Sequence, residues 1–195
     1  MPLAAPLILA STSTYRRTLL ERLGLRFEAV GPGVDEAHRP TEAAQERALR
    51  LATAKADAIS SRHPQAVVIG SDQVAVCGES MLDKPAEAER ARAQLAHLSG
   101  ATAQFLTACC VRCRSTGFLA THVDVTSVRF RTLTSEEIER YVALEQPLDC
   151  AGSFKAEGLG ITLLESIDSR DPTGLIGLPL IWLAKTLRRA GYLLP

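Results

Sequence analysis

The run Ala66-Val67-Val68-Ile69-Gly70 is apolar without interruption and ends at Ser71-Asp72. A strand that is apolar on both faces needs cover on both, and helices usually supply it. The flanking sequence offers those helices. Thr41 opens a long Ala-rich segment in which Leu49, Ala52, Ala56 and Ile59 recur at helical spacing, with Lys55 beside the stripe. Pro85 suits the first turn of a helix reaching Leu98 and closed by Gly100. Pro6-Leu7-Ile8-Leu9-Ala10 reads as another short buried strand. The cap-forming Ser11-Thr12-Ser13 follows it, then a helix through Tyr15-Arg16-Arg17 that Gly24 stops. A second strand is predicted over Phe27 to Val30. Two long strands, Ala103 to Arg114 and Phe118 to Phe130, meet at the turn Arg114-Ser115-Thr116-Gly117. Thr134-x-x-Glu137 is a capping box for a helix to Leu144. A strand from Ile161 to Ile167 and a helix from Pro179 to Ala190 complete the chain. Alternating strands and helices with one central hairpin predict an α/β fold, a mixed sheet flanked by helices.

At 195 residues and 46% hydrophobic, the chain suits one compact domain over residues 1–195, with neither repeat nor linker. Lys+Arg and Asp+Glu are 22 each. That balance argues against a broad electrostatic footprint for nucleic acid or an anionic membrane, while leaving room for a local phosphate site. Apolar runs are too short for a membrane span, which needs about 20 residues. The N-terminus has no basic segment ahead of its apolar run, so no leader is expected and a cytoplasmic location is. The five cysteines, an odd number, are then read as reduced thiols, Cys110-x-x-Cys113 included. Only four of the 22 basic residues are Lys, at 55, 84, 155 and 185, which draws attention to places where a compact ammonium is retained.

Several short segments carry chemistry. Ser11-Thr12-Ser13-Thr14-Tyr15-Arg16-Arg17 sets hydroxyls and guanidiniums at a strand-to-helix turn, where free N–H groups favour anions. It is not a Walker A loop. Val34-Asp35-Glu36 puts two carboxylates in a loop, and Gly70-Ser71-Asp72-Gln73 puts one directly after the most apolar strand, where α/β sheets open onto ligands. Lys84-Pro85 and Gly152-Ser153-Phe154-Lys155-Ala156-Glu157-Gly158 each carry a Lys in a loop. Each segment alone is compatible with an ordinary cap, turn or solvated charge. Together, with no Cys/His nucleophilic pair, they suit metal-assisted phosphate chemistry.

In order along the chain, Leu7-Ile8-Leu9-Ala10-Ser11-Thr12-Ser13 with Arg16-Arg17, Val34-Asp35-Glu36, Lys55, Gly70-Ser71-Asp72, Lys84-Pro85 and Ile176-Gly177-Leu178-Pro179 resemble the Maf proteins. These are nucleoside triphosphate pyrophosphatases related in fold to the inosine triphosphate pyrophosphatases. The resemblance spans nearly the whole chain. It implies a homodimer whose subunit is an elongated mixed sheet with a cleft between two lobes. It also implies cleavage of a nucleoside triphosphate between the α and β phosphates, with a divalent cation, Mg²⁺ or Mn²⁺. Asp72 matches the catalytic carboxylate and a metal ligand, and Glu36 an acid linked to the metal. Ser11, Arg16, Lys55 and Lys84 match triphosphate contacts, and Tyr15, Gln73 and Glu157 the specificity positions. Gln73 after the Asp and Ser-Phe-Lys-x-Glu-Gly at 153–158 resemble the branch acting on 7-methyl-GTP, although Tyr15 stands where that branch has Trp and Thr14 where it has Pro. The expected role is house-cleaning of modified nucleotides. A dTTP/UTP pyrophosphatase of the same family, and a non-catalytic nucleotide sensor controlling septum formation, remain as alternatives.

Overall fold

The computed structural model describes residues 5–195; Met1 to Ala4, part of the segment read for a leader, lie outside them. The helices and strands, in order, are β1 (Leu7–Leu9), α1 (Thr14–Glu21), β2 (Glu28–Ala29), α2 (Ala44–Ser60), β3 (Val67–Cys77), β4 (Ser80–Leu82), α3 (Ala88–Leu98), β5 (Thr102–Cys113), β6 (Phe118–Phe130), α4 (Ser135–Glu145), β7 (Leu164–Asp168) and α5 (Leu180–Arg189). The seven strands form one sheet in the order β2-β1-β3-β5-β6-β7, with β4 on β3. β1 runs parallel to both neighbours, and the remaining pairings are antiparallel. The mixed α/β sheet expected from the sequence is therefore present.

Alternation along β3 assigns its two faces. Val68 and Val74 turn to α2, whose Ala48, Ala52, Ala56 and Ile59 pack on them with Ala108 and Cys110 of β5. The opposite face carries two separate cores. Ile69, Cys109 and Val111 meet Leu19 and Leu20 of α1 and Leu183 and Leu187 of α5. Ala75, Phe105, Val128 and Phe130 meet Leu95 of α3 and Ile138 and Val142 of α4.

Pairing at the edge of β3 opens the molecule. β1 pairs with residues 67–69 and β4 with residues 75–77. Between them, residues 70–74 pair with β5 on one side and, among the described residues, with no strand on the other. Gly70 lets α2 lie against this stretch. A Cβ there would sit 2.7 Å from the Ala56 backbone nitrogen and closer still to the Ala52 carbonyl oxygen.

The structure revises several expected boundaries. β3 is an 11-residue strand that turns at Gly78 (φ +57°) into β4, a hairpin the apolar run did not announce. Asp72 thus lies in mid-strand, not after a strand. α2 starts at Ala44; Thr41 sits at φ +62°, and Glu46 caps the Ala43 N–H instead. α3 starts at Ala88, past Pro85 and an Ala86 at φ +60°. The Thr134–Glu137 capping box is as expected.

Candidate active site

The gap in the β3 edge opens into a cleft of about 670 Å³, within the range of small-molecule sites. All nine residues picked from the sequence line it: Ser11, Tyr15, Arg16, Glu36, Lys55, Asp72, Gln73, Lys84 and Glu157. Separate parts of the chain bring them there.

Residues 10–16 enter from the end of β1. The Ala10 N–H makes the last bond to β3, at Ile69 O. Ser11 Oγ then accepts from Ser13 N–H (3.1 Å), and Ser13 Oγ from Arg16 N–H (3.4 Å), so the start of α1 is aimed at the cleft. The Arg16 side chain crosses to donate from Nε to Gly177 O (3.1 Å). Burial draws its guanidinium below the usual Arg range, against the opposing pull of Asp72 and Glu36.

Lys55 lies inside the buried stripe of α2 rather than beside it, at 5% exposure. Its Nζ donates to Asp72 Oδ1 (2.6 Å) and meets Glu36 Oε1 (2.7 Å). One ammonium thus joins two carboxylates from distant parts of the chain. Burial works against ionisation of Glu36, but Lys55, with Lys84 and Arg16 behind it, outweighs that and holds this carboxyl below its ordinary range.

Ser71 and Gln73 point away from α2 and hold the segment before α5. Ser71 Oγ lies 2.9 Å from both Ala108 O and Gly177 O. Gln73 Nε2 faces Thr107 Oγ1 (2.9 Å), Leu175 O (2.9 Å) and Gly174 O (3.2 Å). Its donors are thereby engaged, and its Oε1 is left as an acceptor. The far end of this segment is anchored by Asp171, which accepts from Ile181 N–H (2.7 Å) and from Thr173, fixing the start of α5.

Glu157 is exposed at the rim, on a loop clamped by α4. Tyr141 Oη accepts from Lys155 N–H (3.1 Å), and Glu145 Oε2 accepts from Leu159 N–H (2.7 Å). Lys155 itself donates to Glu145 O (3.2 Å), so it supports the loop and is not part of the cleft wall. Burial lowers the Lys155 ammonium, but Tyr15, Cys150 and Asp149 more than compensate and raise it. Cys150 has its thiol pushed up to about 12 by burial and by Asp149. It is a poor nucleophile there.

The sequence reading missed Arg47, Asp83 and Asp149, which also line the cleft. Arg47 had a signal: Arg47, Leu51 and Lys55 fall four apart on α2. The cysteine cluster has no part in the cleft. Cys109 and Cys110 face opposite cores of the sheet, and all five cysteines are free.

Among the described residues no three His, Cys, Asp or Glu side chains group closely enough to hold a metal ion alone. Glu36 and Asp72 nonetheless fit a shared cation. They already converge on one positive charge, that of Lys55, each through a single oxygen. Mg²⁺ is commonly held this way, by one or two carboxylates with substrate phosphates and water completing the shell.

Residues 6–190 match the family model described as Maf-like protein. The 7-methyl-GTP pyrophosphatase of Polaromonas sp. (strain JS666 / ATCC BAA-500) is 53% identical over 99% of this chain and 88% of its own length. That of Xanthomonas campestris pv. campestris (strain 8004) is 54% identical over 97% and 98%. That of Alkalilimnicola ehrlichii is 53% identical over 96% and 94%. A solved structure of a HAM1 protein from Coxiella burnetii aligns at TM-score 0.41 and 14% identity, over 65% of this chain and 73% of that one; it is too remote a likeness to bear on the site.

Proposed function

Because this chain belongs to the Maf family, we propose that it hydrolyses a nucleoside triphosphate, 7-methyl-GTP, to the monophosphate and pyrophosphate. The observation that carries this reading is that one cleft gathers two chemistries. Ser11, Arg16, Lys55 and Lys84 line it with donors and positive charge, while Tyr15, Gln73 and Glu157 line it with an aromatic face and acceptors. The names of the relatives agree with it.

In this mechanism water attacks the α-phosphorus, the bond to the α–β bridging oxygen breaks, and pyrophosphate leaves with the electron pair. Asp72 orients the water and takes its proton. Arg16, Lys55 and Lys84 balance the charge that grows on the leaving group. The start of α1 offers its free N–H groups to phosphate oxygens. A divalent cation, when bound by Glu36 and Asp72, supplies neutralisation of the phosphate oxygens.

Base choice follows from donor and acceptor counts. Guanine presents N1–H and its amino group as adjacent donors, and Glu157 with Gln73 Oε1 supplies acceptors. Uracil and thymine offer one N3–H between two carbonyls. Tyr15 offers its ring to a methylated, cationic purine. Glu157→Gln is expected to lower kcat/KM for 7-methyl-GTP relative to UTP by roughly tenfold or more. The check is pyrophosphate release by wild type and variant across 7-methyl-GTP, GTP, UTP, dTTP, CTP and ITP with Mg²⁺ or Mn²⁺. A wild type that prefers UTP or dTTP would overturn the base reading and keep the reaction. Binding without release would favour a sensor.

A homodimer, a cytoplasmic location and a house-cleaning role complete the proposal. Among the described residues no helix is long and apolar enough to cross a membrane. Residues 118–126 of β6 pair with β5 but, among the described residues, with no strand on their other side, because β7 ends at Asp168, the partner of Ser127. Leu119 (53% exposed) and Val125 (41%) stand three residues either side of His122 on that edge. Antiparallel pairing of two copies about His122 would set Leu119 of one against Val125 of the other. Leu119→Lys/Val125→Lys is expected to give a folded monomer by light scattering at concentrations where wild type is a dimer; an unchanged mass would exclude this edge.

A further inference from the structure

Arg47 is the cation of the cleft that the proposed mechanism does not use. It is one of three residues, with Leu51 and Lys55, on the stripe of α2 that lines the cleft. At 1.5 Å per residue its backbone lies about 12 Å from that of Lys55 along the helix. Lys55 is committed to Asp72 and Glu36. Arg47 has no such commitment. Its Nε is buried and has no hydrogen-bond partner. Its ion pair is with Asp83, at 3.5 Å from Nη1, and the Asp83 side chain is 65% exposed against 14% for Arg47. An exposed carboxylate at that distance holds a guanidinium weakly. Yet the guanidinium is planar, permanently charged and forked, the geometry suited to phosphate. The neighbour of Asp83 is Lys84, which lines the same cleft.

We propose that Arg47 is a phosphate-contacting residue that exchanges Asp83 for the terminal phosphates of the substrate. It then stays with the departing pyrophosphate. Asp83 acts as a stand-in anion, keeping the side chain ordered in the empty cleft. This rests on the cleft being a triphosphate site. It adds that the end of the chain leaving as pyrophosphate is gripped from α2, two turns beyond Lys55.

The test is calorimetric titration of inorganic pyrophosphate, at one fixed Mg²⁺ concentration, into wild type, Arg47→Ala, Asp83→Asn and the double variant. Arg47→Ala is expected to weaken pyrophosphate binding by roughly tenfold or more. It should leave 7-methyl-GMP within about twofold, because the monophosphate lacks the gripped end. Asp83→Asn removes the competing anion and should tighten pyrophosphate by about threefold. That gain must vanish when Arg47 is also Ala, the coupling that separates exchange from a general loss of negative charge. Asp83 is exposed, so its variant remains informative even if Arg47→Ala folds poorly. Unchanged affinity in Arg47→Ala, or an equal gain from Asp83→Asn in both backgrounds, would overturn the assignment to Arg47 while pyrophosphate release by wild type kept the enzyme reading intact. A wild type that neither releases nor binds pyrophosphate would remove the triphosphate reading, and this inference with it.

Discussion

Asp72→Asn is expected to leave the fold intact and lower kcat by roughly 10²- to 10⁴-fold. The substitution is nearly isosteric, and its position is fixed by the backbone: Asp72 sits in mid-strand, in register with Ala108 of β5. The amide oxygen can still accept from Lys55 Nζ, which also keeps Glu36 at 2.7 Å. The buried ammonium is therefore not stranded, and the melting temperature should move by only a few degrees, about that expected for a 1 kcal/mol loss in a domain of this size. What the amide cannot do is take a proton from water or balance a divalent cation. Pyrophosphate release and thermal melting on the same preparation check both halves. Near-normal turnover would remove Asp72 from the chemistry. Lys55→Met is the contrasting case, because it leaves two carboxylates facing each other with no charge between them, and both stability and activity should fall.

The site was more legible in the sequence than the architecture that makes it. Most of the nine residues lie in short local patterns: a hydroxyl cluster after a strand, acids in a loop or after an apolar run, a Lys beside a Pro; Lys55, within an Ala-rich helix, is singled out by the ordered resemblance to the Maf proteins. Local patterns survive whatever the long-range pairing does. The cleft itself is long-range. It exists because β1 stops at the partner of Ile69 and β4 ends at the partner of Ala75. Nothing within 66–77 says where two other strands end. The apolar run suggested a strand ending at Gly70, since Ser71, Asp72 and Gln73 are polar. The strand continues because those side chains find partners: Asp72 meets Lys55, and Ser71 and Gln73 hold backbone carbonyls of the segment before α5. Tertiary satisfaction overrides the local cue. Arg47 is inconspicuous in the sequence for a related reason. An Arg on an Ala-rich helix reads as a solvated face until the opposing wall, Leu82 to Lys84, is placed against it.

Gly70→Ala should show how tightly that architecture and the chemistry are joined. The new Cβ would lie inside the contact distance of the Ala52 carbonyl and the Ala56 nitrogen. Both atoms are helix backbone, so no side chain can swing away; α2 itself must move off β3. Overpacking of a tight core costs typically 1–3 kcal/mol and sometimes more. A rigid neighbour places this case near the top, about 3 kcal/mol, or a fall of roughly 6–12 °C in Tm. Lys55 lies between Ala52 and Ala56 on the displaced helix and must follow it. Its bridge between Asp72 and Glu36 should loosen, so kcat should fall even at temperatures where the variant is folded. Gly117→Ala is the control. Gly117 has φ +69° with nothing near its missing Cβ, so Ala there adds backbone strain of about 1–2 kcal/mol in the β5–β6 turn, far from the cleft. The two variants should both melt early, but only Gly70→Ala should lose turnover per folded molecule. Wild-type turnover in folded Gly70→Ala would mean that the Lys55 bridge tolerates a shift of α2. The tight contact at Gly70 would then serve stability alone.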